Sequence, residues 1–233
     1  MSEENVTNTE STEAAEVSSK GSSELVLNGL FATKLGMSTV FNDAGEAVPV
    51  TLLAYDNWKV TQVKTEAKEG YNAVQVSSKP KSARSSDKAM KGHLKTAGFA
   101  TNAIHSRELR MDKLPEGLAV GQTVSINSLK KGDTVKLTST SKGRGFSGVQ
   151  RRHNFGGGPA SHGSHFHRRP GSIGNREWPG RVMPGRKLAG QFGDETVTIK
   201  NVVIVDVLPD ENVLMVKGGV PGGRHTLVKL VKE

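Results

Sequence analysis

From Lys142 to Lys187 the chain reads KGRGFSGVQRRHNFGGGPASHGSHFHRRPGSIGNREWPGRVMPGRK, 46 residues with eleven Gly and four Pro. Proline removes a backbone donor and glycine loses the most freedom on ordering. Neither a regular helix nor a central strand is therefore expected to run through this stretch. It has few aliphatic residues to bury, so alone it cannot offset its ordering entropy, and an outside partner is expected to order it. The segment holds ten Lys or Arg and one acid, Glu177, a net of +9. The 233-residue chain has 32 basic and 23 acidic residues, so the remainder carries 22 of each and is neutral. All the excess charge lies in one contiguous segment, which points to a polyanionic partner: nucleic acid, an anionic membrane or an acidic protein.

The residue types favour RNA. Lys142, Arg144, Arg151, Arg152, Arg168, Arg169, Arg176, Arg181, Arg186 and Lys187 can pair with phosphates. Arginine does so bidentately and also stacks on bases. Phe146, Phe155, Phe166 and Trp178 are interleaved with these charges, and stacking an aromatic on an unpaired base is worth about 1–3 kcal/mol. His153, His162, His165 and His167, with Asn154, add hydrogen bonding. Neutralising about eight phosphates would give a log–log salt slope of about −6 to −7. A membrane-surface role would want an amphipathic helix, which this composition opposes.

Other chemistry fits less well. Gly143-Arg144-Gly145-Phe146-Ser147-Gly148 matches G-x-G-x-x-G after an expected strand. The dinucleotide fingerprint also needs a following helix and an acid about 20 residues on. Here the sequence soon runs into glycines, and the first acid is Glu177. His162, His165 and His167 lie close together, but Arg168 and Arg169 adjoin them and no cysteine or carboxylate joins them. Ser161, Ser164 and His162 lack an orienting acid for hydrolysis. No cofactor, metal or catalytic residue is expected, and the chain is read as a binding protein rather than an enzyme. Its 34% hydrophobic and 5% aromatic content, low for a compact enzyme, agrees. The chain has no cysteine, which removes disulfides and thiolate sites. It has no apolar run of the roughly 18–20 residues that a membrane span needs, and no secretory or mitochondrial leader is expected.

Residues 1–24 carry six Glu and one Lys among Ser, Thr and Asn, and read as a disordered acidic tail. One role for it would be to limit wrong contacts with nucleic acid during synthesis. Residues 25–141 read as the first part of a β body. Strands are expected at 37–41, 47–54, 59–64, 71–77, 104–111, 123–126 and 134–140, with Asn42-Asp43-Ala44-Gly45 as a turn. A helix is expected over 86–97, closed by Gly98. Its Lys88, Lys91, His93 and Lys95 read as a solvated face. After the basic loop (142–187), residues 188–233 complete the body. Strands are expected at 195–208, 213–217 and 226–232, with a turn at Pro209-Asp210-Glu211-Asn212. Many short strands and turns give a mainly β fold, an antiparallel barrel interrupted by a small α/β insertion around 60–110 and by the long irregular loop.

The loop and its continuation LAGQFG, with GLFATKLGMSTVF near the start and VLMVKGGVPG near the end, resemble the universal large-subunit ribosomal protein L-three family in its bacterial form. The likeness spans about residues 29–232. It implies a β-barrel of the kind found in translation factors, placed on the outer face of the large subunit. It also implies a long loop that reaches inward through large-subunit (23S) ribosomal RNA. Family members bind that RNA directly and act early in subunit assembly. They bring the loop tip, here residues 154–162, close to the peptidyl transferase centre, and they neighbour the ribosomal proteins L-fourteen and L-nineteen. The implied location is the cytoplasmic ribosome. Some bacterial members carry a methylated glutamine in the tip. Gly158 stands at the matching position here, so that modification is expected to be absent. Two extended arms of about 23 residues would reach at most ~75 Å. A free RNA chaperone outside the ribosome, and an oxidoreductase using the glycine motif, are the alternatives.

Overall fold

In the stretch Thr134-Val-Lys-Leu-Thr-Ser-Thr140, Val135, Leu137 and Ser139 are buried while their neighbours are not. Side chains alternate across a strand, so this period-two pattern requires a sheet with one face turned inward. The structure, a computed structural model, describes residues 25–115 and 117–232; the tail expected over 1–24 lies outside them. The strands are β1 (Gly29–Phe41), β2 (Ala47–Tyr55), β3 (Lys59–Lys64), β4 (Ala73–Pro80), β5 (Ala103–Arg110), β6 (Thr134–Thr140), β7 (Gly145–Ser147), β8 (Gly190–Phe192), β9 (Thr196–Leu208), β10 (Val213–Lys217) and β11 (Leu227–Lys232). Three short helices accompany them: α1 (Glu66–Glu69), α2 (Lys88–Lys95) and α3 (Val149–His153). The fold is mainly β, as expected.

Six strands pair in a closed ring in the order β1-β11-β6-β9-β10-β2, with β2 returning to β1. Every pairing in the ring is antiparallel. The register places Leu137 opposite Leu230, Leu230 opposite Leu30, and Leu214 opposite Leu53. All five leucines are fully buried, and burying each is worth about 1.5–3 kcal/mol. Ring closure also leaves these strands without a free edge.

Between β2 and β6 the chain builds a second, three-stranded sheet, β3-β4-β5. This sheet shares the barrel's core rather than forming its own. Trp58 is 1% exposed and its ring lies 5.2 Å from that of Phe31 on β1. The start of β1, GLFAT, is therefore buried on both faces, inward against the barrel and outward against the second sheet. A strand covered twice reads as a continuous apolar run rather than an alternating one. Beyond Thr33 that cover ends, and β1 becomes exposed.

The Asn42–Gly45 turn forms as expected, with Gly45 at φ +77 and the Asn42 side-chain oxygen accepting from the Glu46 amide at 2.8 Å. The helix expected over 86–97 is shorter, spanning Lys88–Lys95, with Gly98 left-handed just beyond it. The strand expected at 123–126 does not form. Only isolated bridges tie Val124 to Leu25 and Thr123 to Lys59, and Ile126–Ser128 winds into a 3-10 turn. The physical reason is Ser125, whose hydroxyl accepts from the Asn127 amide at 3.2 Å and offers the backbone a local alternative to a ladder.

Candidate nucleic-acid interface

The basic segment leaves the barrel between β6 and β9. Ser141 donates its amide to the Glu195 carbonyl at 2.9 Å, and the Arg144 amide reaches the Phe192 carbonyl at 2.8 Å. These bonds lead into the ribbon of β7 and β8, where Phe146 faces Gln191 and Ser147 faces Gly190. The crossing is tight. Gly193 sits at φ +72, where an added Cβ would overlap the Lys142 carbonyl. The segment thus begins as a stiff two-stranded stalk. Phe146 projects from it, 80% exposed.

No regular helix runs through the segment, but α3 forms a single turn over Val149–His153. The reason is local: between Gly148 and Gly156 the chain has neither Gly nor Pro. Val149 buries beneath the turn, and Asn154 closes it at φ +58. The turn aims two expected RNA contacts back at the opposite arm. Arg152 Nη1 donates to the Leu188 carbonyl at 2.9 Å, and His153 Nε2 lies 3.1 Å from the same oxygen. An added Cβ at Gly190 would fall 2.6 Å from the Arg152 guanidinium. Arg152 and His153 are half-buried and hold the arms together, and the Phe155 ring lies 6.3 Å from that of His153.

The tip folds on itself. The His167 carbonyl accepts from the Gly158 amide at 2.9 Å and from Gln150 Nε2 at 3.1 Å. Gly157, at φ +73, has no room for a side chain between Gln150 and His167, and a Cβ on Gly158 would lie 2.9 Å from Phe166. The glycine run is what lets the tip close this way. Farther on, Arg186 donates to the Ser172 carbonyl, and Trp178 stands 86% exposed.

The remaining expected contacts, Lys142, Arg144, Arg151, Asn154, His162, His165, His167, Arg168, Arg169, Arg176, Arg181, Arg186 and Lys187, are all exposed. Among the described residues the ion pairs are Lys64–Glu108, Lys79–Asp56 and Lys232–Asp133, and none involves the segment. Its cations therefore face solvent without carboxylate partners. At the root of the stalk, Lys142 and Arg144 join Lys34 of β1 around a cavity of about 480 Å³ in which Glu195 is the acid. Lys34 donates to the Val220 carbonyl at 2.6 Å and the Gly222 carbonyl at 3.2 Å. Burial, and then the charge of Lys142, pull its ammonium pKa below the usual lysine value.

The G-x-G-x-x-G stretch is followed by a helical turn, yet it does not form a phosphate-cradling loop. Gly145–Ser147 is itself strand β7, paired antiparallel to β8, whereas the fingerprint belongs to a parallel βαβ unit. Sequence reasoning did not find Lys34, which is more than 100 residues from the loop it adjoins, or the clasp by Gln150. Gln150 offered no signal, because its partner is a backbone carbonyl 17 positions away.

The family model described as ribosomal protein L3 matches residues 116–210. A protein of Bdellovibrio bacteriovorus named large ribosomal subunit protein uL3 is 61% identical over 209 residues, covering 90% of this chain and 94% of that protein. A Synechococcus protein of the same name is 43% identical over 202 residues, covering 87% and 94%. Both alignments are long enough to take in the barrel, the second sheet and the basic segment, so the chain belongs to the ribosomal protein L3 family.

Proposed function

We propose that this protein is a structural constituent of the large ribosomal subunit. It binds large-subunit ribosomal RNA directly through the segment 142–187 and performs no catalysis of its own. The observation that carries this reading is the exposed cation set of the segment, which lacks any carboxylate partner among the described residues. Such a set lowers its energy by releasing counterions from a polyanion. The relatives' name, large ribosomal subunit protein uL3, supports the large subunit as the source of that polyanion. Exposed Phe146 and Trp178 suit unpaired bases, and single-stranded loops are where RNA sequence is read.

In this reading residues 25–141 and 188–233 form a body akin to translation-factor barrels, with the small sheet around 60–110 inserted. The body anchors the protein early in subunit assembly, on the cytoplasmic ribosome and beside the L-fourteen and L-nineteen proteins. The stalk carries the tip, residues 154–162, toward the peptidyl transferase centre. Arg152 and His153 have a double role, because they brace the arms before RNA arrives. The test is deletion of residues 156–169 followed by gradient sedimentation and assay of peptide-bond formation. Subunits that assemble poorly or react slowly are the expected result. Normal incorporation with normal peptide-bond formation would refute the role of the tip, and protein that washes free of subunits at high salt would refute ribosomal residence.

A further inference from the structure

Outside the basic segment the charges sum to zero only when the six Glu and one Lys of residues 1–24 are counted; residues 25–141 and 188–233 hold 21 basic and 16 acidic residues, and the fold does not spread them evenly. Lys229 of β11 lies directly opposite Thr138 of β6 in the register. Lys136, two residues along β6, points to the same outer face of the barrel. From the second sheet, β5 brings Arg107 to this face, whereas Arg110, three residues on, turns to the other side and lies 4.5 Å over the Tyr71 ring. Arg107, Lys229, Thr138, Thr140, Thr196 and Thr226 help to line a groove of about 320 Å³. Lys229 is half-buried there. Burial, then the charges of Arg110 and Lys136, push its ammonium pKa below the usual lysine value. Among the described residues the body's ion pairs engage Lys64, Lys79 and Lys232, and none engages Lys229, Lys136 or Arg107. A half-buried lysine held among like charges is unfavourable in the free protein, and an anion seated in the groove reverses that cost.

We propose that this groove is a second RNA site, which takes the phosphodiester backbone of a helical segment independently of the basic loop. The inference rests on the reading of the chain as an RNA-binding protein. The groove offers what phosphate oxygens need: ammonium and guanidinium charge beside threonine hydroxyls that donate hydrogen bonds. It exposes no aromatic ring on which a base could stack, because Phe31, the aromatic in its wall, is 3% exposed. The loop differs by presenting Phe146 and Trp178. A wall of hydroxyls and cations without exposed aromatics suits helical RNA, which proteins recognise by shape through phosphates and 2′-hydroxyls.

The test uses the full chain, large-subunit RNA, hydroxyl-radical footprinting and a salt titration of affinity. The double variant Arg107→Ser/Lys136→Ser changes positions that carry no ion pair, so folding is retained. Lys229→Arg is the charge-preserving control. The double variant is expected to flatten the log–log salt slope by about 1.4–1.8. It should also remove one protected RNA segment and leave the loop's footprint intact, while Lys229→Arg keeps both. Arg168→Ser/Arg169→Ser should remove the other footprint only. A groove variant with the wild-type slope and every wild-type protection would overturn the inference and leave the proposed function standing. So would one that binds RNA normally but loses a protein neighbour. A wild-type protein that protects no RNA would bring down both.

Discussion

Gly29 in the body and Gly157 in the loop are both places where a Cβ has no room, but the obstacles differ in kind. At Gly29 a Cβ would sit 2.5 Å from the Leu230 carbonyl, inside the barrel wall and against Leu109. At Gly157 it would meet Gln150 and the His167 carbonyl on an exposed tip. The body is held by burial, with interlocking leucines and a shared core that runs from the barrel into the second sheet. The loop is held by backbone and side-chain hydrogen bonds around missing Cβ atoms, with Val149 as its buried apolar residue. Damage to the body should therefore spread through the whole fold, whereas damage to the loop should stay local and appear as lost binding.

The largest effect tests the body. Leu137→Ala removes a fully buried side chain at the centre of the ring and should cost about 2–5 kcal/mol of stability, measured by urea denaturation. Arg168→Ser/Arg169→Ser, at exposed loop positions, should leave the melt unchanged while flattening the salt slope of RNA binding by about 1.4–1.8. A clear loss of stability in the arginine variant would break the division between the two regions.

Next is the glycine pair. Gly29→Ala forces a methyl into the barrel wall and should cost about 1–3 kcal/mol of global stability. Gly157→Ala meets both a clash and a positive φ, yet its global melt should match the parent within about 0.5 kcal/mol. Its effect should be faster hydrogen exchange at the Gly158 amide, which bonds the His167 carbonyl. Trp178→Ala, at a position 86% exposed, should likewise spare stability and weaken RNA binding by about 1–3 kcal/mol.

The two regions also differed in how far the sequence disclosed them. The strands 134–140 and 213–217 match their expected bounds because alternation of Val135 and Leu137, or of Leu214 and Val216, is local information. The double burial of GLFAT was not legible, because it depends on Trp58 arriving from elsewhere in the chain. In the loop, charge and glycine content pointed to a polyanionic partner, and the family to which the chain belongs is a ribosomal one. They did not show that the segment starts as a ribbon and a helical turn. The ribbon rests on backbone pairing of 145–147 with 190–192, and the arms are braced through the Leu188 and His167 carbonyls; backbone acceptors leave no mark on composition. The groove beside Lys229 was hidden for a related reason: counted together with the six Glu of residues 1–24, the rest of the chain sums to zero, which conceals the net +5 of the body.

The smallest effect separates the regions by pH. On the second sheet Glu108 pairs with Lys64 at 2.7 Å and accepts from the Tyr71 hydroxyl at 3.0 Å. The bond from Lys64, followed by that from Tyr71, holds the Glu108 carboxyl below its ordinary value despite partial burial. The bond to Glu108 raises the Lys64 ammonium above its own. A carboxyl depressed by folding stabilises the protein above its unfolded pKa and loses that contribution as the pH falls through the folded value. A raised lysine contributes fully below its unfolded pKa and loses that contribution only as the pH rises through the folded one. Through the neutral range both groups are charged, so the pair is intact there. Glu108→Gln should therefore leave a melt at neutral pH only slightly lowered, since partly exposed pairs contribute little, and should flatten the decline in stability on the acid side. The loop pairs none of its cations with a carboxylate among the described residues, so Arg168→Ser/Arg169→Ser should leave that acid decline unchanged. An acid limb that moves in the loop variant and not in Glu108→Gln would reverse the assignment of pH-sensitive stability to the body.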